Sequence, residues 1–289
     1  MYLSTESGDL VKTELLGGSF IEQLYAKSVI RNLGAQFLEG IVGNIDIPRM
    51  SGGATVYWQS AENTAVTEST PTFDTVSLSP KSMGAIVDIS KLLLNQSAVS
   101  VEQLIINDIT RAIAVGLDTV AVNGDSASDQ PVGILHLAVN NITATSTGLT
   151  YEDIVKFETE VATDNADIGA LAYLTNAKVR GYLKSNAVNS TYGDAMMWKL
   201  GANGEGTLNG YRAVASNVVP ATLGGGTDNG MVFGNWNDLI VAIFAPGLDL
   251  MVDPYTNAKK RLVSVIAYMD VDLGVRHLNS FAKCDDISV

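Results

Sequence analysis

The chain has 289 residues, with 31 acidic against 18 basic side chains, a formal net charge of −13, one Cys and two His. With 46% hydrophobic and 17% charged residues it reads as a globular chain, long enough to bury about 75% of its unfolded surface. The lone thiol, Cys284, excludes an internal disulfide and a multi-cysteine metal site. Cations are scattered, and the densest run is Lys259, Lys260 and Arg261, which argues against gripping nucleic acid through its phosphates. No apolar run approaches the ~20 residues of a membrane span, and the N-terminus lacks a signal-peptide pattern. The expectation is a soluble, intracellular, reduced protein.

Residues 1–18 show little periodicity and contain Gly8, Gly17 and Gly18, the pattern of an arm that something else must order. Ser19 with Glu22 forms a capping box for a short helix carrying Ile21, Tyr25 and Val29, which Gly34 ends. Residues 52–80 read as a long hairpin. Its strands are placed at 55–59 and 76–79, and a polar, turn-rich stretch with Pro71 lies between them. A loop of that length is either mobile or functional, and this one carries Trp58, Val66 and Phe73, which a free loop has little reason to keep. A partly apolar hairpin too long to fold onto its own core points to contact with a neighbouring subunit.

Residues 84–89 read as a strand. A helix follows from about 100 to 122, with Ser100 as cap and Glu102 in its first turn. Its apolar stripe is Val101, Ile105, Ile109, Ile113, Leu117 and Val120, with Gln103, Asn107, Arg111 and Asp118 assigned to the opposite side. At ~1.5 Å per residue it is about 34 Å long, a structural strut that Asn123-Gly124 stops. The GDSASDQP stretch suggests a boundary. A helix over about 150–163 then exposes one apolar side through Ile154, Val155, Phe157 and Val161. Residues 171–175 read as a strand, and a helix after Thr175 carries Val179, Tyr182 and Leu183. Residues 186–210, with five glycines, read as loop. Short strands follow at 211–216, 231–233 and 239–244, then a longer one at 262–273, with extended chain continuing over 275–282. The loose alternation of strands and helices favours α+β over a doubly wound sheet.

Catalytic patterns are sparse. There is no G-x-S-x-G elbow, H-E-x-x-H pair, P-loop or dinucleotide fingerprint. Gly224-Gly225-Gly226 has neither a following helix nor a nearby Lys and reads as a loop. His136 and His277 read as structural, the latter within a strand. Asp285 and Asp286 are expected to raise the Cys284 pKa rather than activate the thiol. Asp125, Asp129 and the Asp270/Asp272 pair are the best metal candidates, without calcium-loop spacing. No catalytic, cofactor or metal site is assigned. A strut helix, a long hairpin, a loose arm and Gly-rich loops are features of an assembly subunit.

Five blocks in order carry a family resemblance: residues 53–97, 101–135, 207–220, 233–256 and 265–286. The first begins GATVYWQSAENTAVTESTPTFD, the second holds VEQLIINDITRAIAVGLDTVAVNGD, and the last is VIAYMDVDLGVRHLNSFAKCDD. Together they resemble the major capsid proteins of tailed bacteriophages with the HK97-like fold. The resemblance implies an α+β capsid fold with an N-terminal arm (1–27), an extended β-hairpin loop (52–80), a long spine helix, and peripheral and axial domains. Peripheral pieces would be 28–51, 81–124 and 253–289, and the axial domain 125–252. It further implies self-assembly through hexamers and pentamers into an icosahedral shell around double-stranded DNA, without catalysis or cofactors. Portal and scaffolding proteins are the implied partners, a decoration protein a further one, with no membrane. Localisation would be the virion capsid, assembled in the host cytoplasm. The net negative charge then fits a container that must release its DNA.

Two departures from that family follow. Some relatives join a Lys on the extended loop covalently to an Asn of a neighbour, but no Lys lies between Arg49 and Lys81 here. Non-covalent stabilisation is expected instead: Glu62 and Glu68 of one hairpin meeting Lys259, Lys260 or Arg261 of the next subunit, with Trp58, Val66 and Phe73 buried beside them. Exposed pairs contribute only about 0–1 kcal/mol each, so repetition around a ring would matter more than any single pair. Many relatives also begin with a cleaved helical scaffolding segment. Here the arm begins almost at once, so either scaffolding is a separate protein or the numbering describes a processed form, and Met1 favours the former. The alternatives are an encapsulin-type nanocompartment shell of the same fold and, more remotely, an enzyme with an unrecognised carboxylate site.

Overall fold

The computed structural model describes residues 29–59, 68–92, 101–144, 148–188, 195–201, 206–224 and 226–289. The expected arm, the Ser19/Glu22 capping box, the Ser100 cap, Glu62, Val66 and Gly225 lie outside these residues, as do the side chains of 101–104.

A short helix α1 (Val29–Leu33) leads into strand β1 (Gln36–Ile41). The turn between them passes through Gly34 at φ +116°, where a Cβ would sit 2.9 Å from that of Ala170. Strand β1 runs parallel to β11 (Leu239–Asp253), which pairs antiparallel with β12 (Leu262–Val275). Strand β4 (Lys81–Ser90) completes a four-stranded sheet of order β1-β11-β12-β4. On β12, Val265, Ala267, Met269, Val271 and Leu273 are buried in period two, so one face of this sheet is committed to the core. The long helix α2 (Val101–Asn123) lies on that face, burying Ile109, Ile113, Ala114, Leu117, Ala121 and Val122.

Asp118 departs from the expected polar side of α2. It is 3% exposed, and its Oδ2 accepts the backbone N–H of Val29 at 2.8 Å. A buried carboxylate is tolerated when a donor satisfies it, and here that bond fastens α1 to the strut. Beyond α2 the chain crosses itself at two glycines. The Gly133 N–H donates to Gly124 O at 2.9 Å, and a Cβ on Gly124 would lie 2.1 Å from Pro131 O. Only glycine lets two backbones approach so closely.

The second sheet has seven strands in the order β5-β13-β10-β6-β9-β8-β7. These are β5 (Asn140–Asn141), β6 (Leu171–Thr175), β7 (Trp198–Leu200), β8 (Gly206–Leu208), β9 (Tyr211–Ala215), β10 (Asn229–Asn235) and β13 (Phe281–Ile287). One face, through Ala172, Leu174 and Val232, joins the α2 core. The other, through Tyr173, Ala213, Met231 and Phe233, is covered by α3 (Tyr151–Thr163) and α4 (Ala177–Ser185). Thr150 and Asp153 form a capping box at the start of α3, and Asn176 caps α4 by accepting from Val179 N at 2.9 Å. Trp236 is fully buried between the sheets and donates its indole N–H to Ala172 O at 2.9 Å.

Three expectations are corrected. The stretch 186–210, read as loop, contains β7, β8 and an isolated bridge between Ala187 and Met196. Residues 275–282 do not continue one strand: β12 ends at Val275, a short 3-10 turn spans Leu278–Ser280, and β13 begins at Phe281 in the other sheet. His277 therefore precedes that turn rather than lying in a strand.

Candidate functional site

The hairpin is the element that stands apart from both sheets. Strand β2 (Ile45–Gly52) pairs antiparallel with β3 (Thr72–Leu78), from Ile45↔Leu78 to Gly52↔Thr72. The outgoing strand thus lies earlier than the expected 55–59, and residues 53–59 hold no strand. Alternation at Ile45 and Ile47 carried the signal, while Pro48 obscured it; Pro is admitted here because a two-stranded ribbon is all edge.

The root of the hairpin is well anchored. Leu78, Val76, Ile45 and Ile47 pack on Ile240, Ala242 and Phe244 of β11, covering the far face of the four-stranded sheet. Gly274 of β12 makes this possible, since a Cβ there would fall 2.8 Å from Val76 Cγ1 and 2.9 Å from Leu78 Cδ2. Arg49 donates through Nε to Asp74 Oδ2 at 3.0 Å, and through Nη1 to the backbone O of Arg276 at 3.2 Å. That guanidinium holds the Asp74 carboxyl below its ordinary value, helped by the Thr75 N–H. Beyond the root, Ser51 Oγ donates to Thr72 Oγ1 at 3.0 Å, and Thr55 N donates to Ser69 Oγ at 3.1 Å.

Past that anchored root the apolar side chains face outward. Trp58 is 96% exposed, Val56 82% and Phe73 69%. Met50, directly across from Phe73, is exposed as well, an interface candidate that sequence reasoning missed and the strand register reveals. Glu68 is exposed. A cleft of about 570 Å³ lies beside the root, lined by Arg49, Met50, Asp164, Ile168 and His277 among others.

The cationic run lies elsewhere. Lys259 and Lys260 close a 3-10 turn (Ala258–Lys260), and Arg261 takes left-handed backbone at φ +56°. All three are exposed, and none is in an ion pair among the described residues. Beside them stands Tyr255, 84% exposed, another residue sequence reasoning missed. This turn joins β11 to β12 at the end of the sheet opposite the hairpin root, which packs on the stretch Ile240–Phe244. The strand between spans about 30 Å. The structure therefore brings Trp58, Glu68 and Phe73 onto one hairpin but keeps them away from Lys259, Lys260 and Arg261 within a chain. Any meeting of the two groups is between chains.

Most of the chemical candidates make local contacts. His136 is exposed, with Nε2 3.2 Å from Asn123 Oδ1. Burial, more than Asp286 and Asp285, pushes the Cys284 thiol well up, so the nearby acids are the smaller cause. Asp125 caps the 3-10 turn Ser126–Ser128, and Asp272 Oδ2 accepts from Ser79 N at 2.7 Å. Asp270 accepts from Ser82 Oγ. Among the described residues no three His, Cys, Asp or Glu side chains are grouped to hold a metal ion, and no helix is long and apolar enough to cross a membrane.

Comparison with known proteins bears on this architecture. The chain is 31% identical over 284 residues to the major capsid protein of Halomonas phage phiHAP-1, covering 96% of this chain and 44% of that protein. It is 29% identical over 246 residues to the major capsid protein of Klebsiella oxytoca phage phiKO2, covering 81% and 56%. The chain thus spans about half the length of these two curated relatives. Among solved structures, the capsid of a native GTA particle superposes with a TM-score of 0.69 at 18% identity, covering 90% of each chain. The fold is the HK97-like capsid fold. The model of the family described as "Phage capsid family" matches residues 7–286, and with nearly the whole chain inside that match, the chain belongs to the phage capsid family.

Proposed function

We propose that this chain is a major capsid protein that self-assembles through hexamers and pentamers into an icosahedral shell enclosing double-stranded DNA. The observation that carries the reading is family membership over nearly the full length. It is supported by an anchored hairpin whose outer half presents Trp58, Val56 and Phe73 to solvent. Scattered exposed apolar residues need no explanation, but three on one projecting element mark a surface that another chain covers. The role is structural and the reading assigns no reaction. The mature location would be the virion capsid, with assembly in the host cytoplasm. Portal, scaffolding and decoration proteins would be further partners.

Within that reading, the 52–80 loop lies on a neighbouring subunit, with Trp58, Val66 and Phe73 covered and Glu62 or Glu68 near Lys259, Lys260 or Arg261. With no Lys in the loop, the contact is non-covalent. On this reading the peripheral domain would be the four-stranded sheet with α2, taking β11 from the expected axial stretch 125–252, and the axial domain the seven-stranded sheet, taking β13 from the expected peripheral stretch 253–289. Light scattering of the purified chain with negative-stain images of the same fractions tests the reading. Rings of five or six copies or uniform megadalton shells are expected. A 30.6 kDa monomer at high concentration would contradict it.

A further inference from the structure

A closed ring of identical subunits needs a heterologous interface, in which one patch of each copy meets a different patch of the next. The seven-stranded sheet carries two such patches of opposite charge. Residues 151–167, covering α3 and its exit, hold six carboxylates and one Lys. Residues 176–185, covering α4, hold three cations and no acid. Both helices lie on the same face, but α3 packs on β13 and β10 while α4 packs toward β7. Glu158 of α3 reaches back to Asn209 and Tyr211 beside the β8–β9 turn, but Asp164 past the other end of the helix accepts from Asn140 of β5, which stands six strand steps from β7, about 29 Å at the usual spacing. That exceeds the ~10 Å screening length at 0.1 M salt, so the Asp164 end does not neutralise the α4 cations within one chain.

The basic end is concave. Strand β8 pairs with β9 from Gly206↔Ala213 to Leu208↔Tyr211. Beside these strands lies a cavity of about 260 Å³, lined by Arg180 and Lys184 from α4, Arg212 from β9, Asn32 and Trp198 among others. Arg212 Nη1 is held by Asn32 O at 2.7 Å. Arg180 and Lys184 are exposed and in no ion pair among the described residues. Trp198 is 5% exposed, and its buried indole N–H has no hydrogen-bond partner among the described residues. A concave site lined by cations suits an oxyanion. At the acidic end, Glu160 and Asp164 are exposed.

We propose that this cavity is the receiving half of the contact between adjacent copies of this chain in a ring, and that it takes carboxylates from the α3 end of the neighbour. The inference rests on the shell reading above and names residues for its ring contact. Its test compares wild type with R180E/K184E, E160K/D164K and the variant carrying all four changes. R180Q/K184Q serves as a milder probe, and melting of the dispersed chains confirms folding. The concentration needed for rings or shells should rise at least tenfold in each charge-reversed double variant, rise less in R180Q/K184Q, and return toward wild type when all four changes are combined. A wild type that never assembles would sink the shell reading itself. If wild type assembles and R180E/K184E does so at the same concentration, the ring contact lies elsewhere and this inference is wrong. Failure of the four-change variant to recover would overturn the pairing with α3. If R180E/K184E shells close normally but hold less DNA, the cavity contacts nucleic acid instead, and the inference is equally overturned.

Discussion

Replacing Trp58 with Ala separates the stability of the fold from that of the assembly. Because Trp58 is 96% exposed, its removal deletes almost no packing within the chain. The dispersed subunit should change by no more than about 0.5 kcal/mol. In the shell the same side chain is expected to be covered. A Trp presents roughly 200 Å²; if a neighbour covers half of it, about 100 Å² at ~25 cal/mol per Å² gives about 2.5 kcal/mol per contact. That corresponds to roughly 70-fold weaker association per contact. Two assays on one sample series would measure this: denaturant unfolding of dispersed chains, and light scattering against concentration for assembly. A loss of more than about 1 kcal/mol in the dispersed chain would mean that Trp58 packs within its own subunit. Assembly at the wild-type concentration would mean that no neighbour covers it.

Gly274→Ala should disturb the hairpin root, because the new Cβ meets Val76 and Leu78 below 3 Å; a loss of about 1–3 kcal/mol in denaturant unfolding is expected, and an unchanged midpoint would show that the root yields. For Asp153, burial opposes ionisation, but hydrogen bonds from Lys156 and Thr150 outweigh it and hold the carboxyl below its ordinary value of 3.8. A depressed folded-state value stabilises the fold above the unfolded-chain value, and that contribution is lost as pH falls through the folded value. D153N should therefore cost about 1 kcal/mol at neutral pH through the lost cap and flatten the acid decline below about pH 4; an unaltered acid limb would contradict this. Gly181 lies inside α4 with nothing within 4 Å of a Cβ placed there, so G181A should stabilise the dispersed chain by about 0.5–1 kcal/mol, read as a raised melting temperature.

Local signals carried the elements that local chemistry determines. The strut helix, α3 with its Thr150 start, β6 and α4 follow from apolar spacing and caps within a few residues, and each stands within about two residues of where the sequence places it. The elements that escaped are held by distant partners. Strand β1 exists because it pairs with β11 some two hundred residues later, and β7 and β8 complete an edge that starts at β9. Strand β11 continues to Asp253 through Ala-Pro-Gly at 245–247, with a register shift between Ile243 and Leu248; read locally, that tripeptide is a stop signal. Asp118 was misplaced because charge suggests solvent, and only the fold brings the Val29 N–H to it. For the candidate interface, Trp58 and Phe73 were legible as unexplained apolar residues in a polar loop. Met50 was not, because its exposure depends on the register with Phe73. The distance between Asp164 beside β5 and the cations of α4 toward β7 was equally hidden, since only the strand order sets it.

The most direct test of the central claim is a cryo-electron microscopy reconstruction of particles assembled from this chain. The account predicts closed icosahedral shells in which the β2–β3 hairpin crosses onto an adjacent subunit and Trp58 is covered by it. Particles in which each hairpin folds back on its own subunit and leaves Trp58 in solvent, or the absence of any closed or ring-like assembly, would contradict it.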